Sequence, residues 1–273
     1  MFSIESDAYK STFELHIDTS VAEGYRYIQL EGPVVEISRS TRYVKSFQDY
    51  MVIDPIVVHY ADGGFSYNKY LVRVESEIDL YPVDRLITKE FTNIRKESMS
   101  KTRMTDSIQY EYYQEMMDDY DLIFNDDDKG EAADLVALRD NSNGTIGLCL
   151  VHCKYSHEDR PGSRVIDFYE VCGQSQRSTR WKHSGIERLT THLLKRNKVW
   201  QSDGYSRFLK GNESLLSYFE KKSRTTAVEL EIFLVQPGLS KARASNSVLQ
   251  LLGGSDLQTT KTAFAPLKVV CSP

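Results

Sequence analysis

The stretch DDDKGEAADLVALRDNSNGTIGLCLVHCKYS, residues 126–156, decides how the rest of the chain is interpreted. Two apolar runs of strand length flank an Asn/Gly turn at Asn141–Gly144, a pattern that predicts an antiparallel hairpin. Polar residues interrupt this apolar pattern at three places: Asp134 begins the first run, and His152 and Lys154 end the second. A buried charged group must be paired or functional, so these three residues require an explanation.

Strand geometry predicts that these polar residues gather at one end of the hairpin. Side chains alternate along a strand, so His152 and Lys154 share a face with Leu148 and Leu150. Antiparallel pairing brings the start of the first strand beside the end of the second. We therefore expect Asp134 to lie close to His152 and Lys154.

A polar stripe on the next helix extends the predicted cluster. The helix is predicted from Val165 to Trp181, and three-and-four spacing places one set of polar side chains on one face. That set is Asp167, Glu170, Gln174 and Arg177. Upstream, Glu131 is a further carboxylate candidate, whereas the run of three aspartates at 126–128 is typical of a solvated acidic turn.

Carboxylates beside a lysine suit phosphodiester hydrolysis. Carboxylate oxygens hold Mg²⁺, which polarises a phosphate and helps to deprotonate water. A nearby ammonium stabilises developing negative charge, and an amide can orient water. The alternatives are structural: Asp134 as a strand-start cap, Lys154 as an exposed strand end, His152 as a satisfied core histidine, and Glu170 and Gln174 as a solvated helix face.

The order of predicted elements indicates two domains. Residues 1–98 are predicted as a β-rich accessory domain, with strands at 13–18, 25–30, 33–38, 51–60 and 69–76. A polar stretch at 96–105 precedes a helix in which Asp106 is the predicted cap and Gln109 completes a capping box. Helix, three strands, helix and strand then follow, which predicts an α/β (α+β) domain with a mixed central sheet over residues 99–273.

Composition and motifs exclude several classes of function. The net charge of −5 argues against a protein that binds polyanions with its whole surface, although residues 177–198 are strongly basic. The four cysteines form no CxxC pair, which favours free thiols in a reducing cytoplasm. No apolar run reaches membrane-spanning length, and the first residues do not resemble a signal peptide. Phosphate-loop, GxGxxG, HExxH and GxSxG motifs are absent.

The segments GEAADLVAL, LVHCKYS and DFYEVCGQSQRS resemble the PD-(D/E)XK nuclease superfamily, whose fold is that of restriction endonucleases. They also resemble nuclease-like domains fused to, or encoded with, bacterial superfamily-2 helicases. Asp134 matches the first motif position and Lys154 matches the lysine of the second. His152 departs from the pattern because it stands where the superfamily has Asp or Glu.

The resemblance implies a restriction-endonuclease-like fold and three ways to replace the missing acid. His152 itself, Glu170 or Glu131 could complete the metal shell with Asp134, and we favour Glu170. Mn²⁺ tolerates an imidazole ligand better than Mg²⁺ does. In a fourth outcome the site is inactive and the fold only binds DNA.

The predicted function is that of a Mg²⁺- or Mn²⁺-dependent DNA endonuclease in bacterial defence, cytoplasmic and working with a helicase. Asp134, Glu170 and Glu131 are the predicted metal ligands, Lys154 the catalytic cation, and Gln174 and His152 further catalytic residues. The predicted DNA contacts are Arg177, Arg180, Lys182 and Arg188. The alternative is an inactive module that binds DNA or docks a helicase partner; the sequence leaves homo-oligomerisation open.

Overall fold

The computed structural model describes residues 1–18, 20–21, 24–40, 43–60, 64–67, 70–73, 79–156 and 161–273. The chain divides into two compact units, Met1–Ser76 and Glu77–Pro273. In the described part of the chain, every helix is too short or too polar to cross a membrane.

The first unit is β-rich, as predicted. Its described strands form a three-stranded sheet, a two-stranded ribbon and a second three-stranded sheet, all antiparallel. In chain order the elements are β1 (Phe2–Glu5), β2 (Lys10–Ile17), β3 (Tyr25–Glu31), β4 (Glu36–Ser40), β5 (Tyr43–Ser46), α1 (Phe47–Ile53), β6 (Val57–His59), β7 (Phe65–Tyr67) and β8 (Tyr70–Val72).

Helix α1 overturns part of a strand prediction. The predicted strand at 51–60 begins inside this helix, and only β6 remains extended. Ser46 caps the helix by accepting a hydrogen bond from the Asp49 backbone N–H. Phe47 and Met51, four residues apart, then bury the same helix face against Phe13. Of the predicted strand at 69–76, residues 70–72 are extended, and residues 69 and 74–76 lie outside the described residues.

The second unit is built on a seven-stranded mixed sheet flanked by helices, which confirms the predicted architecture at that level. Its elements are β9 (Leu86–Thr88), α2 (Ile108–Met116), β10 (Leu122–Asn125), β11 (Leu135–Asp140), β12 (Ile146–Cys153), α3 (Val165–Ser178), α4 (Arg180–Gln201), β13 (Phe208–Lys210), α5 (Glu213–Ser223), β14 (Val228–Ser240), α6 (Asn246–Ala263) and β15 (Leu267–Ser272). The strand order is β13-β10-β11-β12-β14-β15-β9.

Two kinds of pairing meet at β12. The pairs β13–β10, β10–β11 and β11–β12 are antiparallel, whereas β12–β14, β14–β15 and β15–β9 are parallel. The predicted hairpin is confirmed: Leu135 pairs with Val151, and the turn has Gly144 at φ +83°. Every residue of β12 is buried, because helices α3 to α6 cover one sheet face and α2 covers part of the other.

Strand β9 moves the boundary between the units away from the predicted position at residue 98. It pairs in parallel with β15 at the edge of the large sheet, through Val269 opposite Leu86. Residues 77–98 therefore belong with the second unit. A three-residue strand with one buried position is too short for its periodicity to be recognised in the sequence.

Candidate metal and catalytic site

Asp134 is held at the entrance to β11 by two hydrogen bonds. Its side chain is 3% exposed, and Oδ2 accepts from the Cys153 backbone N–H at 2.8 Å. Oδ1 accepts from Nε2 of Gln109 at 2.9 Å, while Oε1 of the same amide accepts from the Met99 backbone N–H. Gln109 is thus a support for Asp134 and not part of a capping box. Ser107, not the predicted Asp106, caps α2.

Asp127, Glu131 and Asp134 form a carboxylate cluster, which we call the acidic triad. Their carboxylate oxygens lie within 4.8 Å of one another. Burial, and then the charges of Glu131 and Asp127, raise the pKa of Asp134 well above its ordinary value. Burial also raises the pKa of Glu131. Three crowded carboxylates repel one another, so a divalent cation bound among them would relieve this unfavourable charge.

Gln174 reaches the acidic triad from α3, as predicted. Its Nε2 donates a hydrogen bond of 3.3 Å to Glu131 Oε1. Its own Oε1 is buried and has no hydrogen-bond partner among the described residues. A buried amide oxygen without a donor is a suitable acceptor for a water molecule or a cation at this position.

Glu170 occupies a different place from the one expected of a metal ligand. Its carboxylate is 59% exposed and lies 2.6 Å from Nζ of Lys154, at the end of β12. In the described part of the chain the cluster able to hold a metal contains Glu131 and Asp127 and leaves Glu170 out. Glu131, the upstream alternative, is the acid that the structure brings to Asp134.

Lys154 is a paired, half-buried cation that directly follows β12. Glu170 is its nearer partner, and Glu97 Oε2 lies 3.7 Å from Nζ. Burial opposes the charged form of Lys154, but the two glutamates outweigh it and raise the pKa of the ammonium. The group is therefore charged at neutral pH, and its negative partners hold it at the strand end.

Two residues near this site were not predicted from the sequence. Asp127 belongs to the run 126–128 that was predicted to be a solvated turn, yet it is half-buried and points into the acidic triad. Glu97 lies in the polar stretch before α2 and accepts a hydrogen bond from the Tyr155 backbone N–H at 2.9 Å. Neither position carries a periodic pattern, so no local signal distinguishes it from a surface acid.

His152 is not part of the acidic triad. Its Nε2 lies 2.7 Å from Oγ of Ser178 on α3, and the ring is buried. Burial, and then the charge of Arg177, lower the pKa of His152 to about 3. The imidazole is therefore neutral and buried under the helix, as the structural alternative for this residue predicted. Only one ring nitrogen is satisfied, however, because the buried Nδ1 has no hydrogen-bond partner among the described residues.

The placement of His152 predicts an effect on stability and not on metal binding. We expect His152→Gln to lower the free energy of unfolding by about 1–2 kcal/mol through the altered Ser178 contact, with metal affinity unchanged. The unfolded imidazole takes a proton below about pH 6.5. The folded one resists protonation down to about pH 3. The stabilisation by His152 is thus present above pH 6.5 and declines as the pH falls. The difference in the free energy of unfolding between the wild-type chain and His152→Gln, measured with urea, should therefore narrow from pH 7 to pH 5. A loss of metal affinity in the variant would contradict this placement.

Of the four predicted DNA contacts, three are exposed, and the guanidinium of Arg180 lies 5.0 Å from the ring centroid of Trp181. Arg177, Arg180 and Arg188 are exposed along α3 and α4. Lys182 instead donates to the Ala263 carbonyl at 2.9 Å, so its ammonium already has a protein partner. The helix predicted to run to Trp181 ends at Ser178, and α4 bends at Gly185, whose φ is +79°.

Three carboxylates thus lie at the start of β11, Gln174 contacts one of them, and Lys154 follows the end of the paired strand β12. Oxygen ligands are those that Mg²⁺ prefers, and Mn²⁺ accepts them as well. No protein-family model, curated protein or solved structure matches this chain.

Proposed function

We propose that this chain is a metal-dependent DNA endonuclease. The observation that carries the proposal is the acidic triad at the start of β11, with Lys154 at the adjoining end of β12. The element order α2-β10-β11-β12-α3-β14, antiparallel up to β12 and parallel beyond it, is what we expect of a restriction-endonuclease-like fold. This order supports the resemblance on which the proposal also rests.

In this proposal Asp127, Glu131 and Asp134 hold Mg²⁺ or Mn²⁺. Such an ion polarises a phosphoryl oxygen and lowers the pKa of bound water. Lys154 donates to the scissile phosphate and stabilises the charge that develops on it. Gln174, fixed by Glu131, orients the attacking water through its free carbonyl oxygen.

Substrate binding is assigned to the exposed arginines of α3 and α4. Arg177, Arg180 and Arg188 contact backbone phosphates, which contributes affinity with little sequence discrimination. The resemblance further suggests a cytoplasmic role in bacterial defence with a helicase partner. The four cysteines are buried and free, which is compatible with a reducing compartment.

One observation favours the second candidate, a module that binds DNA without cutting it. His152 replaces the acid of the second motif and is buried against Ser178. In that case the exposed arginines still bind DNA, whereas the carboxylates need not bind a metal. Direct measurement of divalent-metal binding therefore separates the two candidates.

The test is incubation of the purified chain with linear, circular and single-stranded DNA, in Mg²⁺, Mn²⁺ or EDTA. We expect cleavage that requires the metal and includes circular DNA, since an endonuclease needs no free end. Salt-dependent DNA binding without cleavage under any metal would favour the non-catalytic module.

A further inference from the structure

The loop between β10 and β11, residues 126–134, carries all three members of the acidic triad, and arginine side chains bind its backbone. Arg196 of α4 has a side chain that is only 15% exposed and points at this loop. Its Nη2 donates to the carbonyls of Asp126 at 2.6 Å and Asp128 at 3.3 Å, and Nη1 donates to that of Lys129 at 3.2 Å. One guanidinium thus binds three carbonyls of a single turn.

A second arginine binds the same loop from the segment after α4. Arg207 is 2% exposed and donates Nη1 to the carbonyls of Asn125 and Asp127, at 3.0 and 2.9 Å. Its guanidinium carbon lies 4.1 Å from the ring centroid of Trp200, which supports the side chain from one face. The two carbonyls that flank Asp127 Cα are therefore each bound by an arginine, that of Asp126 by Arg196 and that of Asp127 by Arg207.

Asp126 fixes the start of the loop from inside the protein. It is fully buried and forms an ion pair with Arg196, while Oδ2 accepts from the Ala132 backbone N–H at 2.7 Å and lies 2.8 Å from Nε2 of His192. The contact to Ala132 ties the two ends of the turn together. Asp126 is thus a structural carboxylate although it adjoins Asp127.

We propose that Arg196 is a positioning residue that sets metal affinity by holding this loop in its binding conformation; the proposal rests on the proposed metal site. A loop of consecutive acidic residues with its carbonyls unbound would separate its carboxylates to reduce their repulsion. Fixing the carbonyls forces the carboxylates of Asp127 and Glu131 to the same side. The ordering cost is then met during folding and not during metal binding.

Charge and positioning predict opposite effects of removing Arg196. A cation near the acidic triad repels a metal ion, and the charge of Arg196 is felt at Glu131, whose pKa it lowers against the larger effect of burial. By charge alone, removing the guanidinium would tighten metal binding. If Arg196 instead positions the loop, removing its guanidinium weakens metal binding. A lysine keeps the charge and loses the planar set of donors, so charge alone predicts no change for that substitution.

The experiment measures Mn²⁺ and Mg²⁺ binding to the whole chain by calorimetry, without DNA. We expect Arg196→Lys and Arg196→Gln both to weaken binding by about 10–100-fold, as the loss of a supporting residue does at metal sites. Arg85→Gln is the matched control, because Arg85 forms a comparable pair with Asp256 at 2.7 Å far along the chain from the loop. It should leave metal affinity unchanged.

The remaining outcomes are distinct. Binding by the wild-type chain with equal or tighter binding by both Arg196 variants would overturn the positioning role and leave the proposed function standing. No binding by the wild-type chain would overturn both. Arg196→Lys retains a positive charge opposite Asp126, so it keeps the test available if Arg196→Gln fails to fold, as a far-ultraviolet spectrum would reveal.

Discussion

Replacing Lys154 with alanine is expected to reduce DNA cleavage by about 10²–10³-fold at saturating Mg²⁺, the usual cost of removing one donor that stabilises transition-state charge. The ammonium sits at the strand end between Glu170 and Glu97, and no other described cation is paired with these carboxylates. Because Lys154 is not a metal ligand, Mg²⁺ affinity should not fall. Single-turnover cleavage measured beside calorimetry separates the two quantities.

Lys89 provides a matched control for this experiment. Its side chain is 20% exposed, against 21% for Lys154, and it too is paired with two glutamates, Glu111 and Glu115. Lys89→Ala therefore removes the same kind of interaction after the edge strand β9, three strands away from β12 in the sheet. Equal loss of cleavage in both variants would indicate a general effect on folding. Unchanged cleavage by Lys154→Ala would contradict the catalytic role assigned to Lys154.

Much of this site follows from strand periodicity. Leu148 and Leu150 pack into the helix-covered core, and on the same face His152 reaches Ser178 and Lys154 reaches Glu170. The Asn/Gly turn fixed the register that places Asp134 beside the Cys153 backbone. Alternation and turn chemistry are local properties, so they can be recognised in the sequence.

The features of the site that the sequence did not predict depend on contacts between residues that lie far apart along the chain. Asp126 and Asp127 are consecutive acids, yet one is buried by Arg196 and the other belongs to the acidic triad. The roles of Arg196 and Arg207 arise only when α4 packs beside the loop, some seventy residues away in sequence. Charge patterning alone assigns such residues to solvated surfaces, because their partners are not neighbours in the chain.

A second large effect is expected at Asp134. Asp134→Asn should lower metal affinity by more than the roughly 10–100-fold cost of losing a supporting residue, and cleavage should be lost with it. Asn keeps an acceptor for the Cys153 N–H, whereas its amide nitrogen would face the Gln109 donor. The fold should therefore survive at a cost of about 1 kcal/mol. Calorimetry with Mn²⁺ and the cleavage assay provide the measurements.

The same substitution should remove a pH dependence of stability in EDTA. The pKa of Asp134 is raised in the folded protein, first by burial, so the folded state holds its proton more tightly than the unfolded state does. This contribution is fully present below the unfolded pKa of about 3.9 and is lost as the pH rises through the raised value. Between pH 5 and pH 8 the melting temperature of the wild-type chain should fall relative to that of Asp134→Asn. Added Mg²⁺ should restore it, most strongly at pH 8, because the ion binds the deprotonated carboxylate.

Asp256→Asn tests whether these effects are specific to the acidic triad. Asp256 also accepts a hydrogen bond from a backbone N–H, that of Leu267 at 2.7 Å, and its charge is matched by Arg85. Asp256 is not part of the acidic triad, so its substitution should not weaken Mn²⁺ binding. If Asp134→Asn retained the wild-type pH dependence of stability and bound Mn²⁺ normally, Asp134 would be a structural strand-start residue. The proposed metal site at the start of β11 would then have to be abandoned.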